Sequence, residues 1–91
     1  MKVNFHASLR PIIGQKTVEF DYEKNLTVSQ LLDKISHSFP AFHQVLYDKD
    51  GEIYPHAHVY INGRDVPYLE KTIFTVLNPN DKIDIFPPGH F

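Results

Sequence analysis

One amphipathic helical segment, with strand-like segments before and after it, limits this chain to few folds. Thr27 and Gln30 have the Thr-x-x-Gln spacing of a capping box, and Leu26 before the cap can pack against Leu31. Pro40 ends the segment because proline cannot continue a helix. The apolar positions repeat at helical spacing and predict one stripe that faces a sheet: Val28, Leu31, Leu32, Ile35 and Phe39.

Residues 2–9 and 16–22 alternate apolar and polar side chains with the two-residue period of strands. The pattern predicts a first strand over residues 2–9, with Val3, Phe5, Ala7 and Leu9 facing inward. A second strand is predicted over residues 16–22, with Val18, Phe20 and Tyr22 inward. Pro11 and Gly14 are interpreted as turn residues between them, so that the two strands form a hairpin.

The second half of the chain adds a short helical turn and three more strands. Residues 41–47 are predicted to form the helical turn. In "HVYINGRDV", Val59 and Ile61 are predicted to face the core, and Asn62-Gly63 is typical of a type I′ turn that leads into a short return strand. Arg64, Asp65 and Glu70 are interpreted as solvent-exposed turn charges. The closing strand "KIDIF" is predicted over residues 82–86.

This element order predicts an α+β protein with a ubiquitin-like β-grasp fold. A mixed sheet of about five strands would carry one main helix on one face, with the first and last strands parallel at its centre. We expect a single domain over residues 1–91, with residues 86–91 as a projecting C-terminal tail. By strand parity, the uncovered face of the sheet would show His6, Ser8, His58, Tyr60 and Phe86.

Four residues of that face are predicted to form a partner-docking patch: His6, His58, Tyr60 and Phe86. The alternative is that they are ordinary half-exposed side chains. His56 and His58 are also two residues apart on one predicted strand face, a spacing that can chelate a metal. No cysteine assists them, and His6 would lie across an intervening strand. We therefore predict no metal site.

Composition and charge exclude several classes of function. The formal net charge is −2, and charges of the same sign do not cluster, which argues against nucleic acid or a membrane surface as partner. No apolar stretch approaches the roughly 20 residues of a membrane span, and we expect a cytoplasmic protein. No Ser-His-Asp triad or glycine-rich phosphate loop is visible, so no catalytic residues and no cofactor are predicted. Without cysteine, any sulfur chemistry must use a partner or the carboxyl terminus.

Four segments resemble the MoaD/ThiS family of ubiquitin-like sulfur carriers, especially its MoaD-type members. They are "ASLRPIIGQKTVEF", "TVSQLLDKI", "LYDKDGEIYPHAHVYINGRDV" and "NDKIDIFPP". The resemblance implies a β-grasp carrier whose C-terminal Gly-Gly is adenylated by a ubiquitin-activating-type adenylyltransferase and converted to a thiocarboxylate. It also implies a larger acceptor, such as the large subunit of molybdopterin synthase, in a pathway of the molybdopterin type.

The predicted carrier tail departs from the family pattern after its two prolines. Pro87 and Pro88 favour an extended chain because proline holds φ at about −65°. The family would continue with a small-residue spacer and two glycines, whereas this chain has Gly89, His90 and Phe91. A carboxyl group that reacts inside a partner's channel needs neighbours without side chains, since a Cβ would collide with the wall.

Three explanations of this departure remain open. A metalloprotease could remove His90 and Phe91, which would leave Gly89 as the reactive end. A cognate activating enzyme could instead accept the unusual end. In the third explanation the carrier chemistry is lost, and the domain is a non-covalent interaction or regulatory module in which Phe91 is an anchor for a partner pocket.

Overall fold

The two central strands of the sheet come from opposite ends of the chain. A computed structural model describes residues 1–89, and in it β1 (Lys2–Phe5) and β5 (Ile83–Phe86) pair in parallel. Val3, Phe5, Ile83 and Ile85 are fully buried, as the alternation predicts. A parallel pair needs a crossover between its strands, and the helices and the remaining strands supply it.

Three further strands join this pair: β2 (Thr17–Glu19), β3 (His58–Ile61) and β4 (Arg64–Asp65). Within residues 1–89 the sheet has five strands in the order β2-β1-β5-β3-β4. β2 runs antiparallel to β1, and β3 runs antiparallel to both β5 and β4. The predicted mixed sheet of the ubiquitin-like β-grasp is therefore confirmed, with the predicted central parallel pair.

The main helix, α2 (Val28–Ser38), begins and ends where the sequence predicts. Thr27 Oγ1 accepts a hydrogen bond from the Gln30 backbone N–H at 3.2 Å, and Gln30 Oε1 accepts one from the Thr27 backbone N–H at 3.0 Å. This is the predicted capping box. The apolar stripe is buried except for Phe39, which is half-buried at the C-cap.

The connection between β1 and β2 differs from the predicted tight loop. β1 ends at Phe5, Ala7 has a positive φ of 53°, and a short helix α1 (Leu9–Ile13) follows. Proline is tolerated in the first turn of a helix, because the backbone N–H groups there have no intrahelical acceptor. Gly14 ends α1 in the left-handed conformation, at φ 85°.

This difference corrects three of the side-chain predictions. Ala7 is exposed, and Leu9 is buried from α1 and not from a strand. Ser8 is the N-cap residue of α1, so it does not lie on the open sheet face.

Residues 1–89 also contain a third helix and two 3₁₀ turns. Helix α3 (Pro40–Leu46) covers the predicted helical turn, starts one residue earlier and buries Phe42 and Leu46. Asn62 and Gly63 have φ values of 53° and 83°, as a type I′ turn requires. The 3₁₀ turns, Val66–Tyr68 and Thr72–Phe74, lie in the connection to β5 and were not predicted.

One continuous apolar core joins the inner sheet face to the helices. At its centre the Phe5 and Phe42 rings meet edge to face, with 5.9 Å between centroids and 82° between planes. Within residues 1–89 no helix is long and apolar enough to cross a membrane. Among the described residues the opposite face of the sheet carries no helix, and it holds the residues predicted to dock a partner.

Candidate functional site

The four predicted docking residues lie side by side on the open sheet face. β5 lies between β1 and β3, and Phe86 is directly opposite His58 in the register of β3 with β5. The His6 backbone N–H donates to the Ile85 carbonyl at 3.0 Å, which continues the pairing of β1 with β5. His6 therefore lies on one side of Phe86, and His58 lies on the other.

The side chains of these residues form a continuous row of ring contacts. His6 stacks on Phe86 at a centroid distance of 4.2 Å, with 8° between the ring planes. Tyr60 meets the same Phe86 ring edge-on at 5.7 Å, and His58 stacks on Tyr60 at 5.7 Å. We call this row, His6-Phe86-Tyr60-His58, the aromatic ladder. Its members are half-buried, so the rings support each other and remain partly open to a partner.

Each histidine at the ends of the ladder is held by a carboxylate. His6 Nε2 lies 2.9 Å from Asp84 Oδ1, and His58 Nδ1 lies 2.7 Å from Asp65 Oδ2. Because a carboxylate only accepts hydrogen bonds, the imidazole N–H donates in both pairs. Asp84 and Asp65 side chains are each only 15% exposed. The interpretation of Asp65 as a solvent-exposed turn charge is therefore wrong.

The Asp84 carboxylate also joins the ladder to the opposite edge of the sheet. Asp84 Oδ1 accepts a hydrogen bond from Asn4 Nδ2 at 3.2 Å, and Asn4 Oδ1 accepts one from Thr17 Oγ1 at 2.8 Å. Polar contacts and ring contacts thus cross all five strands of the open face, from Thr17 on β2 to Asp65 on β4. Such a network fixes side-chain positions before a partner arrives, which lowers the entropy cost of binding.

The predicted tail begins later than residue 86. Phe86 is the last residue of β5, and Pro87 is buried. Pro88 is half-buried, and Gly89 is exposed, with a φ of 74° and open space where a Cβ would stand. His90 and Phe91, the remaining residues of the predicted carrier tail, lie outside the described residues. Any projecting segment therefore starts no earlier than Pro88, because the two residues before it belong to the folded body.

The structure does not place His56 on a strand face with His58. His56 lies exposed in the turn before β3, and the strand begins at His58. In the described part of the chain, no group of three histidine, aspartate or glutamate side chains could hold a metal ion. His58 is instead committed to Asp65, a partner that the sequence reasoning missed.

The Asn62-Gly63 turn could have identified Asp65 as the partner of His58. It sets the pairing of β3 with β4 and places Asp65 opposite Tyr60, one step along the face from His58.

Comparisons with known proteins agree with this fold. The sequence profile of the ThiS family matches residues 3–89. The chain is similar to small archaeal modifier protein 3 of Haloferax volcanii, with 31% identity over 88 residues that cover 97% of this chain and 94% of that protein. It is also similar to a candidate sulfur carrier protein of Archaeoglobus fulgidus, with 34% identity over 87 residues that cover 96% and 92%.

A solved structure shows the same similarity in three dimensions. The crystal structure of SAMP1 from Haloferax volcanii superposes with a TM-score of 0.84 at 27% identity. The alignment covers 99% of this chain and 96% of that chain, so the likeness includes every strand and helix described above.

Proposed function

Because the chain belongs to the ThiS family of ubiquitin-like sulfur carriers and modifiers, we propose that it acts as such a carrier through its C-terminal segment. Members of this family act with activating enzymes of the ubiquitin-activating type and with target proteins or synthase subunits, and they are not themselves catalysts. For this chain we propose an adenylyltransferase as the first partner. A larger acceptor subunit, of the kind found in molybdopterin synthase, is the proposed second partner.

The proposal rests mainly on the residue at which the family match ends. The matched residues run to Gly89 and exclude His90 and Phe91. Gly89 is exposed and, apart from its chain neighbours, no atom of the described residues lies within 4 Å of its would-be Cβ position, which supports access of another protein to its backbone. We therefore propose Gly89 as the reactive end, after a metalloprotease has removed His90 and Phe91.

The chemistry of this end follows from what the chain contains. In the proposed activation, the Gly89 carboxylate attacks the α-phosphate of ATP and pyrophosphate leaves. Hydrosulfide supplied by a partner then attacks the acyl carbon of the adenylate, the bond to AMP breaks, and the product is a thiocarboxylate. The chain has no cysteine, so that sulfur comes from a partner. Pro88, which follows the buried Pro87, would limit the conformations of this end, because proline holds φ at about −65°.

The aromatic ladder is the proposed docking surface for these partners. It ends at Phe86, which is three residues before Gly89 in the sequence. Half-buried aromatic rings with fixed positions are favoured contact residues in interfaces. The ladder and the reactive end would therefore enter the same interface.

Pyrophosphate exchange tests the proposal. Two forms of the protein, residues 1–89 and residues 1–91, would be incubated with ATP, labelled pyrophosphate and the activating enzyme of the same organism. We expect exchange that depends on the 1–89 form and is absent with the 1–91 form. Exchange with neither form, together with unmodified, full-length protein in the native cell by mass spectrometry, would contradict the carrier function and favour a non-covalent module.

A further inference from the structure

The distance from the folded body to the proposed reactive end is short. Three residues follow Phe86 up to Gly89, and an extended chain spans at most about 3.5 Å per residue, or roughly 10 Å in all. The burial of Pro87 shortens this reach further. This inference rests on the proposed function: when Gly89 reacts inside a partner, the protein surface around the end of β5 must touch that partner.

Two basic residues lie at that end of the sheet, Arg10 placed by a side-chain contact and Lys16 by a backbone contact. The Phe5 carbonyl accepts a hydrogen bond from Arg10 Nε at 3.0 Å, and the Phe5 N–H donates to the Lys16 carbonyl at 2.7 Å. Phe5 pairs with Ile85 in the parallel register, so both basic residues stand at the edge where β5 ends. We call Arg10 and Lys16 the basic rim.

The charges of the basic rim are not compensated within residues 1–89. Both residues are exposed, and neither has a carboxylate oxygen within 4.0 Å among the described residues. The two carboxylates of the open face, Asp84 and Asp65, are already bound to the histidines of the ladder. Two positive charges without a carboxylate neighbour among the described residues therefore stand at this end of the sheet, although the whole chain has a formal net charge of −2.

We propose that the basic rim recognises acidic side chains at the mouth of the activating partner's tail channel. The short reach places the rim in the interface, and the missing carboxylates make a partner with negative charge the complementary one. Exposed charges at the edge of an interface act mainly on the association rate and the register of docking, and less on the lifetime of the complex. The rim would thus guide the tail into the channel.

Charge reversal with a matched control tests this proposal. The variants are R10E, K16E and the double variant, each made in the 1–89 form. R10K keeps the charge and controls for the hydrogen bond of Arg10 to Phe5. K2E is the matched control, because Lys2 at the opposite end of β1 is exposed and has no ion pair within residues 1–89. Association with the activating enzyme would be followed by stopped flow from low to high salt, and circular dichroism would confirm the fold.

We expect the double variant to associate about tenfold more slowly at low salt, with a weaker dependence of the rate on salt. R10K and K2E should stay within about twofold of the parent rate.

Parent-like association rates and salt dependence for the double variant would overturn the proposed role of the basic rim and leave the carrier function unaffected. A double variant that associates like the parent but exchanges pyrophosphate more slowly at saturating protein would also overturn the proposal. The basic rim would then act on the nucleotide and not on docking. If the parent 1–89 form neither binds nor exchanges, the carrier function itself fails, and the inference fails with it.

Discussion

The His6 imidazole lies flat against the Phe86 ring, with 4.2 Å between centroids and 8° between planes. His6 follows the first strand, and Phe86 is the final residue of the last strand. The contact therefore joins the two ends of the chain at the point where the proposed carrier segment begins. A partner that binds the aromatic ladder is brought within a few residues of Gly89.

Removing the Phe86 ring should weaken both the fold and docking. The ring is half-buried and contacts His6 and Tyr60, so we expect Phe86→Ala to lower the free energy of unfolding by about 1–2 kcal/mol. Binding to the activating enzyme should fall by at least about tenfold. Urea unfolding and titration calorimetry measure the two effects. Phe74→Ala is the control, because Phe74 is 66% exposed and its variant should match the parent in both.

The His6–Asp84 pair should show a measurable coupling energy. A double-mutant cycle with His6→Ala and Asp84→Ala isolates it, and we expect about 0.5–1 kcal/mol, since both side chains are only partly exposed, at 26% and 15%. The same cycle applied to Lys82 and Asp84 should give a smaller value, because that contact is 4.0 Å long and Lys82 is 70% exposed. Equal coupling in the two cycles would show that the histidine contact is not the stronger one.

Strand parity was sufficient to predict the face on which His6, Tyr60 and Phe86 lie. Two-residue alternation determines which side chains point away from the core, whatever the details of the turns. The position of β5 between β1 and β3 also followed from the element order, because Ile83 and Ile85 had to be buried on a central strand.

Helix α1 and the carboxylate partners were missed for different physical reasons. Leu9 and Ile13 are four residues apart, which fits a helix, but Leu9 also continues the alternation of β1, and five residues give little periodicity to decide between them. The His6–Asp84 contact joins residues 78 positions apart. It depends on the exact register of two distant strands, which a local pattern does not contain.

The capping box of α2 should contribute measurably to the free energy of unfolding. Thr27→Ala removes the hydroxyl that accepts from the Gln30 N–H, and we expect the free energy of unfolding to fall by about 1 kcal/mol. Thr27→Ser keeps an accepting hydroxyl and should retain most of it. Chemical unfolding of the three proteins under the same conditions makes the comparison. Equal losses in both variants would mean that the methyl group of Thr27, and not its hydroxyl, carries the effect.

Ionisation of Tyr47 should destabilise the fold at high pH. Burial, and secondarily the charge of Asp33, raises the Tyr47 pKa above its ordinary value of 10.0. A raised pKa means that the folded state binds the proton more tightly, so this contribution is complete below the pKa of the unfolded chain. It is lost as the pH rises through the higher pKa of the folded state.

Unfolding free energies measured from neutral pH to above pH 10 should therefore decrease, and Tyr47→Phe should decrease less. Phenolate absorbance should show that Tyr47 ionises above the ordinary tyrosine pKa of 10.0. Identical pH profiles for the parent and Tyr47→Phe would contradict the prediction.

Adding a single methyl group at Gly89 should separate folding from activation. Apart from Gly89 and its chain neighbours, no atom of the described residues lies within 4 Å of an added Cβ, so D-alanine at this position of the 1–89 form should leave the free energy of unfolding unchanged, and any cost of L-alanine comes from the positive φ. We expect both to reduce pyrophosphate exchange by at least about tenfold, because a channel that fits glycine leaves no room for a Cβ. The two alanines differ in conformation: Gly89 has a φ of 74°, which D-alanine adopts readily and L-alanine does not. Full exchange with D-alanine alone would show that the partner selects this backbone conformation, and full exchange with L-alanine would remove the steric requirement for glycine.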